Sequence, residues 1–272
     1  MIAFPNIDPV LHLGPLNIRW YAMMYILGFA VTYFVIEKRA KETKLPFAPT
    51  DSGDLIAGLI FGLLIGARLG FVLFYKPGYY LMDPFKIFAL WEGGMSFHGG
   101  FIGVLLVALW FCRKRAIGFL DLCDMVSPAA PLGLALGRLG NFINGELWGK
   151  PSTVPWAMVF PNDPTHLPRH PSQLYELLTE GLLLAAVLWG IRNKRLPSGT
   201  MLGVFIAGYG CARIFCEFFR EPDAELVFGL IPRGMFLSLP MVLGGAALIW
   251  WAKMRQPSSP ISGEVPAIAE GA

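Results

Sequence analysis

Apolar residues along this chain fall into long blocks separated by short polar connections. The blocks lie at about Trp20–Ile36, Leu55–Tyr75, Phe97–Phe111, Phe119–Leu139, Leu174–Ile191, Met201–Phe219 and Met235–Trp251. A stretch of about 20 apolar residues matches the hydrocarbon thickness of a bilayer. The third block is short, and Asp121 and Asp124 interrupt the fourth. The pattern predicts an all-α polytopic membrane protein, a bundle of about seven transmembrane helices with a small outward-facing loop region; six or eight spans are the alternatives. Residues 1–255 read as a single transmembrane domain and 256–272, rich in Pro, Ser, Gly and Ala, as a disordered tail.

Composition agrees. The 272 residues are 55% hydrophobic and 15% charged, with mean hydropathy +0.54, whereas soluble domains carry roughly a quarter charged residues. The net charge of +3, from 22 basic and 19 acidic residues, is too even to suggest nucleic-acid binding. Aromatics at 14%, with eight Trp, suit membrane interfaces. Met1 to Leu16 holds Pro5, Asp8 and Pro9 without a basic start, so it does not read as a cleavable signal peptide.

Basic residues set the expected orientation. One set of loops carries Lys38, Arg39, Lys41, Lys44, Arg113, Lys114, Arg115, Arg192, Lys194, Arg195, Lys253 and Arg255; the opposite set carries only Arg19, Lys76, Lys86, Lys150, Arg169 and Arg233. The N-terminus is therefore expected outside and the C-terminus in the cytoplasm. Gly58, Gly62, Gly66 and Gly70 form a small-residue stripe suited to close helix packing. The segment Lys150–Pro171 contains six prolines and reads as loop, with a short strand through Trp156–Phe160. Cys112, Cys123, Cys211 and Cys216 lack metal-ligand spacing and read as ordinary buried thiols.

The chemistry lies in polar residues that hydrocarbon disfavours by about 2.5–3.5 kcal/mol each. The sixth block places Tyr209, Arg213, Glu217 and Arg220 on one helical face. They form either an ion pair that locks helices together or, since the positive charge exceeds one carboxylate, a seat for an anion. The fourth block ends in GRLGNFINGELWG, Gly137 to Gly149. Its arginine fork, Arg138, matches phosphate geometry, and Asn141 and Asn144 add donors and acceptors; a helix cap with a snorkelling arginine is the structural alternative. His98 lies in GGMSFHGG; histidine can take or give a proton in this kind of chemistry, so it stands as a proton-transfer group or a helix-start hydrogen bond. On the expected topology His98, Arg138, Arg213, Glu217, Tyr21 and Arg68 reach one level, the outer leaflet, as a phospholipid site would require.

These residues resemble a known family. GRLGNFINGELWG is similar to the signature of the bacterial prolipoprotein diacylglyceryl transferases, as are GGMSFHGG, RHPSQLYE (Arg169 to Glu176), GYGCARIFCEFFREPD (Gly208 to Asp223) and Trp20-Tyr21. The blocks stand in the family's order; the stretch between Gly149 and Arg169 reads as short for the family, and the tail after Arg255 follows no pattern. The resemblance implies transfer of the diacylglyceryl group from phosphatidylglycerol to the lipobox cysteine of a prolipoprotein signal peptide, in the bacterial cytoplasmic (inner) membrane. A thioether forms, glycerol phosphate leaves, and the resemblance implies that no metal or organic cofactor takes part. It implies His98, Arg138 and Arg213 as catalytic residues. The lipid headgroup phosphate falls to Arg138 with Asn141 and Asn144, and the glycerol hydroxyls to Glu146. Arg213 meets developing charge or lowers the thiol pKa, Glu217 orients Arg213 or Arg220, and Tyr21, Tyr209 and Gly149 complete the pocket. A transporter would string its arginines along a path, and an intramembrane serine protease would need an elbow that this chain lacks.

Overall fold

The computed structural model describes residues 2–5, 7–14, 16–43, 45–222 and 229–255. The tail expected to be disordered lies outside them, as does Asp223. The chain forms two compact units, one of residues 1–43 and 123–272, the other Lys44–Leu122.

The first unit opens with an antiparallel hairpin, β1 (Val10–Leu13) on β2 (Leu16–Arg19), running directly into helix α1, Trp20–Thr43. Six helices are long and apolar enough to cross a membrane, and a bent pair brings the number to seven if it counts as one span. The fourth block is that pair, α5 (Phe119–Val126) and α6 (Ala130–Ile143), bent by 46°. The break falls at Ser127-Pro128-Ala129, with Pro131 in the first turn of α6. Proline lacks the N–H needed to continue a helix but fits a helix start.

Asp124 has a role that hydropathy does not reveal. Its buried carboxylate accepts the backbone N–H groups of Gly199 at 2.7 Å and Leu202 at 2.8 Å, capping the start of α9, Thr200–Glu217. Orphan donors at a helix start favour a negative charge, so Asp124 is a helix-pairing carboxylate.

The fifth span is one helix, Ser172–Ile191, made of α7 (Ser172–Glu176), a π-helical stretch Leu177–Leu183, and α8 (Leu184–Ile191). In this unit α1 packs on α6, α6 on the π-helical stretch, and α9 on α10, Arg233–Met254. Gly181 makes the second contact possible: a Cβ there would lie 2.6 Å from the Cβ of Ala135. Several spans extend beyond their apolar blocks. α1 continues through Lys38, Arg39 and Lys41 to Thr43, because a backbone helix does not end where hydropathy does.

Cys112 and Cys216 are buried, but Cys211, expected in the core, is exposed on α9. On a membrane-spanning helix an outward face meets hydrocarbon, which accommodates a thiol as well as a core does.

The second unit pairs α2 (Asp51–Phe74) with α4 (Phe97–Arg115). Their crossing uses the glycine stripe: a Cβ on Gly62 would lie 2.8 Å from the Gly103 carbonyl, and one on Gly70 would lie 2.7 Å from the Gly99 Cα. Backbones this close leave no room for side chains. Between the helices lie α3 (Pro77–Met82) and two single turns, Pro84–Phe88 and Leu90–Glu92. Arg68 binds this connection, donating to the carbonyls of Lys86, Ile87, Ala89, Gly93 and Gly94. The guanidinium expected at a lipid site thus organises a loop.

Gly66→Val forces α2 off α4. We expect it to destabilise the protein by roughly 1–3 kcal/mol, read as a lower unfolding temperature in detergent, while Gly78→Ala, where a Cβ meets nothing within 4 Å, leaves it unchanged.

Candidate active site

In the first unit α6 ends, and the Ser172–Ile191 helix begins, at the connection 144–171. α9 ends against the same connection, through an antiparallel bridge between Gly149 and Arg220. Arg138 near the end of α6, Glu176 and Glu180 near the start of the fifth span, and Arg213 and Glu217 near the end of α9 therefore meet at one end of the bundle.

They form a single ion cluster. Arg213 Nη1 donates to Glu176 Oε1 at 2.5 Å, and Arg220 Nη1 to the same oxygen at 2.8 Å. Arg138 Nε lies 3.1 Å from Glu176 Oε2, and its Nη2 donates to Glu180 Oε2 at 3.3 Å. Arg213 also reaches Glu180 Oε1 at 3.6 Å and Glu217 Oε2 at 3.1 Å. Glu176 and Glu180 are both 0% exposed, while the Arg138 and Arg213 side chains keep 16% and 13% of their surface. Three arginines thus stand against three glutamates. The surplus of positive charge inferred from α9 alone is absent from the cluster, because Glu176 and Glu180 come from a different span. Glu217 sits against the start of α10, where a Cβ on Gly234 would lie 2.5 Å from its Oε2.

Neither Glu176 nor Glu180 was among the sequence-derived candidates. The signal was present: two carboxylates one turn apart, inside an apolar block. The π-helical stretch contributes as well, since such bulges re-aim side chains and are frequent at functional sites.

A second set lies beyond the end of α6. Glu146 Oε1 accepts the side-chain amides of Asn141 at 2.8 Å and Asn144 at 3.3 Å, so these three candidates act as one unit. The turn that carries them places Gly145 and Leu147 at φ +62° and +60°. Leu147 is a non-glycine residue held there from outside: Gln173 Nε2 donates to the Glu146 carbonyl at 2.6 Å, and Ser172 Oγ to the Leu147 carbonyl at 3.0 Å. Tyr21 packs on this end of α6, its ring filling the space over Gly140, with its hydroxyl 3.4 Å from that of Tyr25. Tyr209 stands one turn before Arg213 and packs against the Leu184–Leu188–Met201 cluster.

The connection itself is a small cap. β3 (Met158–Val159) pairs with β4 (Pro168–Arg169), within the segment where a short strand was expected, over a cluster of Phe142, Met158 and Phe160. Arg169 holds it together, donating to Asp163 Oδ2 at 2.5 Å, Thr165 Oγ1 at 3.0 Å, Glu221 Oε2 at 3.1 Å and the Gly149 carbonyl at 3.3 Å. Burial opposes the charge on Asp163, but the Arg169 guanidinium and the Thr165 groups outweigh it and hold the carboxyl down at about 2. Gly149 permits the crossing: its N–H donates to the His170 carbonyl at 2.9 Å, and a Cβ would lie 2.8 Å from the His170 Cβ.

His170 is a histidine beside a span that the sequence reading passed over. Trp156 Nε1 donates to the Tyr175 hydroxyl at 2.6 Å, and that hydroxyl lies 3.0 Å from His170 Nδ1. Burial, and then nearby Lys150, lower the His170 pKa. His98 belongs to the other unit. It is exposed at the second position of α4, its ring edge-on to Phe97 at 5.8 Å, and Ser96 rather than His98 caps the helix, accepting from the Gly99 N–H.

Two outcomes follow. Glu176→Ala leaves the buried Arg220 and the mostly buried Arg138 and Arg213 without their shared partner and lowers stability by about 3–5 kcal/mol, measured by thermal unfolding in detergent. Asp163→Asn costs roughly 1–3 kcal/mol at pH 7 by leaving Arg169 short of a partner. Because the folded pKa lies below the unfolded one, the carboxylate's contribution is complete above about pH 4 and is lost as pH falls towards about 2. The gap between wild type and Asp163→Asn is therefore flat from pH 5 to 8 and closes in acid.

Comparison with known proteins places the chain. The family pattern described as prolipoprotein diacylglyceryl transferase matches residues 9–251. A phosphatidylglycerol–prolipoprotein diacylglyceryl transferase of Bordetella avium is 53% identical over 266 residues, covering 96% of this chain and all of the relative. Those of Bordetella parapertussis and Pseudomonas putida are 52% and 47% identical, covering 91% and 95% of this chain and 96% and 99% of their own lengths. With the ion cluster built from the same blocks that carry the resemblance, this chain belongs to the prolipoprotein diacylglyceryl transferase family.

Proposed function

We propose that this protein transfers the diacylglyceryl group from phosphatidylglycerol to the thiol of the lipobox cysteine of a prolipoprotein signal peptide, the first step of lipoprotein maturation. Besides family membership, one observation carries the reading: Arg138 and Arg213, from different helices, face each other across Glu176 and Glu180 and keep part of their surface open. Charged groups are costly within a membrane and mark functional sites there. Two guanidinium groups held at one level suit a lipid phosphate.

In the reaction the cysteine sulfur attacks the glyceryl carbon bonded to the phosphate oxygen. The carbon–sulfur bond forms as the carbon–oxygen bond breaks, and glycerol phosphate leaves with the electron pair. The thiol proton passes to a base, for which His98 is our assignment; a thiol of ordinary pKa near 8.5 is mostly protonated at neutral pH. Arg138 binds the headgroup phosphate, with Asn141 and Asn144 beside it. Glu146, fixed by those two amides, takes the glycerol hydroxyls. Arg213 meets charge developing on the leaving phosphate, which favours the transition state over the ground state. Glu217 orients Arg213, Arg220 supports Glu176 and ties the cluster to Gly149, and Tyr21 and Tyr209 wall the pocket. We assign residues 1–255 to one transferase domain in the bacterial cytoplasmic membrane. The N-terminus lies outside, the C-terminus in the cytoplasm, and the site opens to the outer leaflet.

Mass spectrometry of a lipobox peptide incubated with the purified protein and phosphatidylglycerol tests this. We expect a diacylglyceryl mass gain on cysteine that falls about 10²–10³-fold in Arg138→Ala and by a comparable factor in His98→Gln. No gain in a folded sample overturns the transferase reading. Near-normal turnover in His98→Gln, with Arg138→Ala inactive, moves thiol activation from the histidine to the arginine field.

A further inference from the structure

At the opposite end of the same unit lies a second arginine pair. Arg39 comes 18 residues after Tyr21 on α1, and Arg192 comes 16 residues after Glu176, just past α8. At about 1.5 Å per residue both stand roughly 25 Å from the ion cluster. The two arginines share one oxygen: Arg39 Nη1 donates to Glu42 Oε2 at 2.9 Å, and Arg192 Nε lies 3.5 Å from it. Arg192 also caps its helix, donating through Nη1 to the Trp189 carbonyl at 2.7 Å. The Trp189 ring is covered by Arg192 at 4.1 Å and Lys38 at 5.0 Å.

Two features do not fit a closed structural pair. Glu42 is the carboxylate that Arg39 and Arg192 share, with a third cation, Lys38, over the same Trp189 ring as Arg192; neighbouring Lys41 pairs with Glu37 at 3.0 Å. In addition, Arg39 Nε is buried without a hydrogen-bond acceptor, in a residue only 3% exposed, and Arg192 Nε meets Glu42 Oε2 only at 3.5 Å, too loosely for a hydrogen bond. Buried donors are rarely left unpaired, and these two belong to arginines that meet on one Glu42 oxygen.

We propose that Lys38, Arg39, Trp189 and Arg192 form a seat for the phosphate of an anionic phospholipid headgroup, distinct from the site at Arg138. A tetrahedral phosphate offers enough oxygens to satisfy both guanidinium groups at once. Lipid, rather than soluble phosphate, follows from the setting. Both arginines close membrane-spanning helices, and Phe34, Leu183 and Val187, one to three turns back, are 68%, 61% and 44% exposed, a surface along which acyl chains can lie. Tryptophan at a span end belongs at the headgroup level, and basic pockets between spans recognise lipid phosphates. Glu42 competes with the phosphate for the same donors. On the orientation proposed above, the seat faces the inner leaflet.

Native mass spectrometry of the detergent-solubilised full chain with phosphatidic acid tests the seat, with phosphatidylcholine of the same acyl chains as comparison. We expect wild type to retain phosphatidic acid in preference to phosphatidylcholine. Arg192→Gln and the exposed Lys38→Gln each weaken retention about tenfold, whereas Glu42→Gln strengthens it, because removing the competing carboxylate frees the donors. A purely structural Arg–Glu–Arg link predicts weaker or unchanged lipid retention in all three variants. Equal retention of phosphatidic acid by wild type, Lys38→Gln and Arg192→Gln overturns the proposal, as does equal retention of the two lipids. Inorganic phosphate raising the unfolding temperature as much as phosphatidic acid overturns the lipid assignment.

Discussion

Much of the first unit depends on the burial of Glu176. Its two oxygens meet Arg138, Arg213 and Arg220, and no surface of the residue reaches solvent. In a low dielectric an unpaired carboxylate or guanidinium is untenable, while a fully paired group is at best roughly neutral against an apolar alternative. The cluster is therefore not there chiefly for stability. Its physical effect is geometric: Arg138 from α6, and Arg213 and Arg220 from α9 and the turn after it, are held at fixed positions chiefly by carboxylates of the fifth span.

Connectivity delivers these groups to one place. α6 must end, and the fifth span begin, at the same connection, so residues near those ends share a level. The Gly149–Arg220 bridge joins the end of α9 to that level. Close packing at Gly181 and Ala135 brings Arg138 within reach of Glu180, and Glu176, one turn earlier, shares its face of the helix. Arg169 ties the cap over the same end, so the Asn141–Asn144–Glu146 turn is braced from above and below.

The spans were legible because hydrocarbon imposes a length and a composition that sequence displays directly. The glycine stripe of α2 was legible for the same reason, since a period of four on an apolar helix has few uses. Charge balance was not legible in this way. Reading α9 alone gives two arginines and one glutamate, and the missing carboxylates sit on a helix whose apolar block hides them; only packing reveals that Glu176 and Glu180 belong to the same group. Arg68 failed for the converse reason. Its position near a span end suggested a ligand, but its five carbonyl acceptors lie 18 to 26 residues further along, a pairing no local pattern encodes. Pro128 and Pro131 mark the break in the fourth span plainly, whereas Asp124 as a cap for α9 spans 75 residues of sequence.

Neutrality of the cluster bears on the proposed chemistry. Three arginines without counter-charges would be costly in the membrane, and with tight private partners they would be inert. Sharing resolves the conflict. Glu176 divides one carboxylate among three guanidinium groups, so each arginine keeps donors beyond those it commits to glutamate. A phosphodiester arriving at Arg138 and Arg213 can take those donors without dismantling the cluster. In the proposed reaction, the charge growing on the phosphate as the carbon–oxygen bond breaks would strengthen its bonds to these donors. Donors fixed before the reaction need no reorganisation during it, and this preorganisation is the largest electrostatic advantage an active site holds over water.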